Sequence, residues 1–224
     1  MNRPPYIDRR DAGRTIAELM REYRDVDGLI VLGLPRGGVP VADEIARTLQ
    51  ATLDVLVVRK LGVPGRAEVA MGAIASLAGT IETVKNEQFS AELSPGGMLA
   101  DTFDDVVAAE TRELRRRQHA YRGHREPLNL AGRVVVLVDD GLATGSTMRA
   151  AATAARREQP HKLVVAVPVG LSGTCSMIRP FADQVLCAWD ATDLSAVGAA
   201  YEHFDQTTDH EVQQILATSG QWHR

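Results

Sequence analysis

The stretch "VVVLVDDGLATGSTM", residues 134–148, sets five apolar residues directly before two aspartates and then a loop of small and hydroxyl-bearing residues. An apolar run of that length suits a strand buried on both faces. Ending such a strand on two like charges is unfavourable unless something offsets them, so Asp139 and Asp140 mark a site rather than a surface. Gly145 lets the chain turn tightly, and the N–H groups of residues 144–147 would face outward at the positive end of the following helix. With the hydroxyls of Thr144, Ser146 and Thr147 they form a cup for a phosphate monoester, each charge-assisted bond contributing about 1.5–3 kcal/mol. The lysine of a GxxxxGK[ST] loop is absent, so this is a different kind of phosphate loop. Two carboxylates would repel a phosphate placed on them. They should face neutral hydroxyls, such as those of a ribose, and a nearby Mg²⁺ would ease their mutual repulsion.

Working outward, "GLIVLGLP" (28–35) and "LDVLVVR" (53–59) read as strands flanking a helix at 39–51, and "KLVVAVPV" (162–169) and "DQVLCA" (183–188) as later strands. Helices are expected at 11–24 behind an Asp11 cap, at 146–157, near 172–179 and at 207–217. This alternation implies an α/β fold with a mainly parallel sheet flanked by helices. "MGAIAS" and "TIETV" read as a hairpin around Ala78-Gly79. Residues 86–130, with "SPGG" at 94–97, break the alternation and read as a helical insertion on a single domain whose core runs from about 28 to 190. The run Arg115-Arg116-Arg117 reads as a solvated helix face.

Ligands of open parallel sheets sit at the carboxyl ends of the strands. Two further ends carry distinctive residues. "LPRGGVP" (34–40) offers Arg36 as a planar fork for phosphate oxygens and, in Gly37 and Gly38, backbone conformations that other residues avoid. "VVRKLGVPGRAE" (57–68) reads by itself as a surface loop with the cations Arg59 and Lys60; Glu68 is either an acid/base group or a solvated glutamate.

"VVVLVDDGLATGSTM" resembles the phosphoribosyl pyrophosphate (PRPP) motif of type I phosphoribosyltransferases, and the chain as a whole looks like the bacterial phosphoribosyltransferase-domain proteins that carry "GLPRGGVPVA", "VRKLG" and "VDDGLATG". The resemblance implies the type I phosphoribosyltransferase fold, with a flexible loop or hairpin, the insertion, and a small C-terminal hood from about residue 189 to 224. It implies that Asp139 and Asp140 hold the ribose hydroxyls and that Ala143, Thr144, Gly145, Ser146 and Thr147 hold the 5′-phosphate. Arg36, Gly37 and Gly38 would bind pyrophosphate through a strained, often cis, peptide. Arg59 and Lys60 would reach the same pyrophosphate as a flexible loop closes, making Arg59, Lys60 and Asp140 the catalytic set. The implied cofactor is Mg²⁺, arriving with PRPP and lying near Asp139 and Asp140 rather than in a cage of its own, and a homodimer is what the family implies.

The acceptor is less defined. Ala143, and "PVGLSG" after the next strand, lack the carboxylate and lysine that the hypoxanthine-guanine enzymes carry there. Leu194 and Ser195 stand where an aromatic would stack on a purine; Trp189 is either a substitute platform or a core residue. The reading is therefore transfer of a phosphoribosyl group to a small-molecule nitrogen nucleophile, and its alternative is a PRPP-sensing, non-catalytic protein. A net charge of -4 gives no polyanion-binding surface, so no nucleic-acid partner is expected. No apolar run approaches ~20 residues, so no membrane partner is expected either. With no signal-like N-terminus, a cytoplasmic protein is expected. Cys175 and Cys187 have no metal-ligand spacing and read as buried or inert.

Overall fold

The computed structural model describes residues 6–77, 80–86, 99–123 and 125–219, and of residues 66–70 the backbone alone. The opening run forms β6 (Val134–Val138). It lies between β1 (Ile30–Gly33) and β7 (Lys162–Leu171), with β2 (Thr52–Val55) and β8 (Gln184–Ala191) at the edges, all neighbours parallel in the order β2-β1-β6-β7-β8. Successive residues of a strand face opposite ways. Val136 and Val138 accordingly enter one core with α1 (Arg9–Leu19) and α2 (Gly38–Leu49). Val135 and Leu137 enter the other with α4 (Ser146–Arg157) and α5 (Thr174–Ile178). Helices on both faces explain why these strands are apolar throughout rather than alternating.

Helix α1 is capped by Asp8, not Asp11. The Asp8 Oδ1 accepts from the Asp11 N–H at 2.8 Å, and the Asp11 carboxylate reaches back to the Ile7 N–H. Both aspartates fit a first turn, and the reciprocal pairing settles which one lies outside it. Ile7 and Tyr6 run beside the C-terminal segment: the Tyr6 N–H donates to the Ala200 carbonyl, and the Glu202 and His203 N–H groups donate to the Tyr6 and Ile7 carbonyls.

The strand expected over 53–59 is two strands. The chain breaks at the buried Leu56 and continues as β3 (Val57–Val63) in a separate antiparallel sheet with β4 (Arg66–Leu77) and β5 (Thr80–Lys85). The segment expected as a flexible loop is therefore mostly strand, turning at Pro64-Gly65, where Gly65 has φ +75°. Ala78 and Gly79, the "SPGG" segment, the Glu68 side chain and residues 220–224 lie outside what is described. Helix α3 (Ala100–Arg122) covers one face of the three-stranded sheet, α4 covers the other, and α6 (Asp209–Ser219) packs on α3 and α2.

Cys175 and Cys187, expected to be buried or inert, are joined in a disulfide that ties α5 to β8. A twelve-residue separation says nothing about pairing until α5 folds back over the sheet edge. A Cβ on Gly170 would lie 2.2 Å from the Cys175 sulfur, so the bridge needs a glycine beneath it.

Arg122, at the end of α3, meets Asp54 of β2 at 2.9 Å with side chains 9 % and 5 % exposed. Removing one partner of a buried pair strands the other charge. Arg122→Ala is expected to lower unfolding free energy by about 3–5 kcal/mol in chemical denaturation, and replacing both residues by leucine to recover most of it.

Candidate functional site

Strand β6 stops at Val138, and the two aspartates follow at its carboxyl end. The Asp139 Oδ1 accepts the Asp140 N–H at 2.9 Å, and the Asp140 Oδ2 accepts the Arg9 Nε–H at 2.8 Å. Only 16 % of the Asp140 side chain and 12 % of the Arg9 side chain remain exposed. The Tyr201 hydroxyl donates to the Asp140 carbonyl. Burial, and then the neighbouring Asp140, push the Asp139 carboxyl well above the ordinary carboxylate range. Burial also raises Asp140, with Arg9 opposing it. Burial pushes the Tyr201 phenol upward as well, leaving it a neutral donor.

The cup follows. The loop is tied to the end of β7 by bonds from the Leu142 N–H to the Val169 carbonyl and from the Leu171 N–H to the Leu142 carbonyl. Gly145 has φ +70°, and a Cβ there would lie 2.9 Å from Thr174 Cγ2 and 3.0 Å from Ile178 Cδ1. Both the conformation and the close floor require glycine. The floor is α5, whose Thr174 hydroxyl donates to the Leu171 carbonyl and lies 3.2 Å from the Ala143 carbonyl. Gly145 is buried while Ala143, Thr144, Ser146 and Thr147 are exposed. The first-turn N–H groups of α4 have no earlier helical carbonyl; the Ser146 N–H turns to the Thr144 hydroxyl oxygen at 3.4 Å, and the Thr144 and Ser146 hydroxyls lie 3.0 Å apart.

The "LPRGG" turn lies directly against the acidic pair. A Cβ on Gly37 would stand 1.9 Å from the Asp140 Oδ2, and one on Gly38 would stand 2.5 Å from the Val138 carbonyl oxygen and 2.8 Å from the Asp139 Cα. Gly37 has ordinary helical angles, φ -62° and ψ -34°. The expectation that these glycines serve unusual backbone conformations is corrected: they are small because the aspartates occupy the space a side chain would take. The Pro35–Arg36 peptide is cis. The Arg36 side chain leans toward α6, its Nη1 3.8 Å from the Asp209 Oδ1, which also accepts from the Tyr121 hydroxyl at 2.6 Å. Burial, then Asp209, push the Tyr121 phenol up to about 12.

Arg59 and Lys60 do not converge. As neighbours on β3 they face opposite sides of the three-stranded sheet. The Arg59 guanidinium pairs with Glu110 of α3 at 2.6 Å. Lys60 shares with Ser146, Thr147 and Arg149 a small recess between the sheet and the start of α4. In this geometry Lys60 borders the cup while Arg59 is turned toward α3.

Trp189 is half-buried and packs with Tyr6, Val169 and Tyr201, the core alternative left open by the sequence. The exposed aromatic near the pair is Phe204, 37 % exposed and stacked on Tyr201 with ring centroids 4.9 Å apart. Arg9 is absent from the sequence reading, and Tyr201 and Phe204 fall within the expected hood without being singled out; only the chain's folding brings the three to the strand end. Among the described residues no group of three or more His, Cys, Asp or Glu side chains is set to hold a metal, and no helix is long and apolar enough to cross a membrane.

The family model described as "Phosphoribosyl transferase domain" matches residues 8–174. That span runs from the cap of α1 to the first residue of α5 and holds both the acidic pair and the "LPRGG" turn. The chain belongs to the phosphoribosyl transferase domain family. A Mycobacterium tuberculosis protein (strain H37Rv) named "Putative phosphoribosyl transferase Rv0571c" is 43 % identical over 212 residues, 94 % of this chain and 46 % of that protein. Its counterpart in strain CDC 1551 matches equally. The chain thus spans about half the length of the curated relatives it matches. The crystal structure of TT1426 from Thermus thermophilus is similar with a TM-score of 0.81 at 39 % identity, covering 95 % of this chain and 97 % of that one. In this phosphoribosyl transferase domain Arg9 falls inside the matched span, whereas Tyr201 and Phe204 lie beyond it.

The raised Asp139 carboxyl sets a stability test. A carboxyl whose folded pKa lies above its unfolded value disfavours folding once ionised. The penalty is complete above the folded pKa and absent below the unfolded value near 3.8. Asp139→Asn is expected to gain about 1 kcal/mol, or roughly 2–4 °C in Tm, at pH 7–8. Differential scanning calorimetry should show the gain vanish as pH falls to about 4.

Proposed function

We propose that the protein transfers a phosphoribosyl group from PRPP to a nitrogen nucleophile on a small-molecule acceptor, releasing pyrophosphate. The observation that carries this reading is the contact between three parts: the exposed cup at the start of α4, the acidic pair before it, and the "LPRGG" turn whose Gly37 abuts Asp140. A sugar phosphate fits that order. The cup takes the 5′-phosphate on N–H groups and hydroxyls aided by the helix dipole. Asp139 and Asp140 accept from the ribose hydroxyls, and the turn with Arg36 receives the leaving pyrophosphate. The C1–O bond breaks with its electron pair on pyrophosphate, the acceptor nitrogen bonds to C1, and its proton passes to solvent. The chain's part is positioning and preorganised charge.

Mg²⁺ fits as a companion of the pyrophosphate rather than as a resident ion: two hard carboxylates face the site, but Arg9 already takes one oxygen of Asp140. It would neutralise charge on the departing group. A second reading, a PRPP sensor without turnover, is favoured by the separation of Arg59 from Lys60 and by the Arg59–Glu110 pair, since a binder needs no cations gathered on the leaving group.

Three experiments test this reading. Asp139→Asn/Asp140→Asn is expected to abolish PRPP binding in calorimetry, and unchanged affinity would overturn the ribose assignment. Lys60→Ala is expected to weaken PRPP by about five- to tenfold because Lys60 borders the cup. Pyrophosphate release from PRPP and Mg²⁺ against a panel of nucleobases, pyridine carboxylates and amines then separates enzyme from sensor: release with one acceptor supports transfer, and binding without release supports sensing.

A further inference from the structure

Arg9 stands in the first turn of α1, far in sequence from every motif, yet it makes three contacts at once. Its Nε–H donates to the Asp140 Oδ2 at 2.8 Å, its Nη1–H to the Asp205 carbonyl at 2.6 Å, and its guanidinium carbon lies 3.9 Å from the centre of the Phe204 ring. Phe204 stacks on Tyr201, and the Tyr201 hydroxyl returns to the Asp140 carbonyl. The contacts close a ring: Asp140 side chain, Arg9, Phe204, Tyr201, Asp140 backbone. Backbone bonds from Tyr6 and Ile7 to residues 200–203 hold its two halves together. A planar guanidinium serves separate acceptors along different edges while its face lies on a ring, and lysine or glutamine cannot do all of this.

We propose that Arg9 is a positioning residue for the sugar: it fixes the Asp140 carboxylate by a clamp built from both ends of the chain, so that ribose recognition depends on residues 6–9 and 201–205. The inference rests on the phosphoribosyl reading above. Asp140 is wedged between Gly37 and the Arg9 fork, so its orientation is set before a ligand arrives. The cup, whose floor is α5, owes nothing to Arg9. Loss of the clamp should therefore be selective: hydroxyl recognition falls while phosphate recognition stays.

The test is calorimetric titration of Arg9→Gln, Arg9→Lys and Phe204→Leu with ribose 5-phosphate, inorganic phosphate and pyrophosphate. Arg9→Gln is expected to raise the Kd for ribose 5-phosphate by about tenfold or more, with phosphate and pyrophosphate within about twofold of wild type. Arg9→Lys should recover part of the loss by restoring charge without the fork. Phe204→Leu should show a smaller loss with the same selectivity, which keeps the test decisive if Arg9 variants fold poorly. Equal weakening of all three ligands would assign Arg9 a structural role and overturn the proposal, as would unchanged ribose 5-phosphate affinity. If wild type binds phosphate but gains nothing from the ribose, the phosphoribosyl reading itself fails and the proposal with it.

Discussion

Two aspartates at the end of a buried strand repel one another and lack the water that would ordinarily screen them. The surroundings of the site answer that condition. The Asp140 N–H turns onto the Asp139 carboxylate, and Arg9 comes from the far end of the chain to meet Asp140. The "LPRGG" turn gives up two side chains so that its backbone can lie against both carboxylates. Without a ligand the charge is only partly offset, and Asp139 stays well above its ordinary range. A strained arrangement of this kind persists where the fold over-determines it, and here a parallel sheet with cores on both faces does so.

What could be read from residues alone divides along a physical line. Local patterns were legible: β6, the start of α4 at Ser146 and the exposed hydroxyls of the cup follow from a short apolar run, a glycine and a helix. The break at Leu56 was not, because "LDVLVVR" is equally apolar on either side of it and only sheet partnership decides where one strand ends. Beyond that break Arg59 and Lys60 are consecutive residues of β3. Read as loop residues they share a target; as strand neighbours they diverge. Gly37 and Gly38 were read as serving backbone freedom, when the reason is crowding by residues 138–140, a segment a hundred residues away: the Asp140 carboxylate at Gly37, and the Val138 carbonyl and Asp139 backbone at Gly38. Arg9 and Phe204 were invisible, since no spacing connects residue 9 with residue 204.

The helices also show how one element serves two sheets. The first turn of α4 faces the cup, its flank covers β3, β4 and β5, and Arg157 near its end pairs with Glu82 of β5. On the opposite face Arg59 joins β3 to α3, and Arg36 leans from the turn toward α6. The three-stranded sheet is thereby held to the cup by a single helix and to the "LPRGG" side by the paired α3 and α6.

The disulfide lies away from the acidic pair yet bears on the cup through the helix it anchors. Residues 175–187 form a closed covalent ring, and the helix at its head is the floor on which Gly145 and Ala143 rest. Closing a ring of that size removes freedom from the unfolded chain, not from the folded one. The bridge therefore acts on the cup through the stability of the fold: it favours the folded chain, in which α5 lies beneath Gly145 and Ala143.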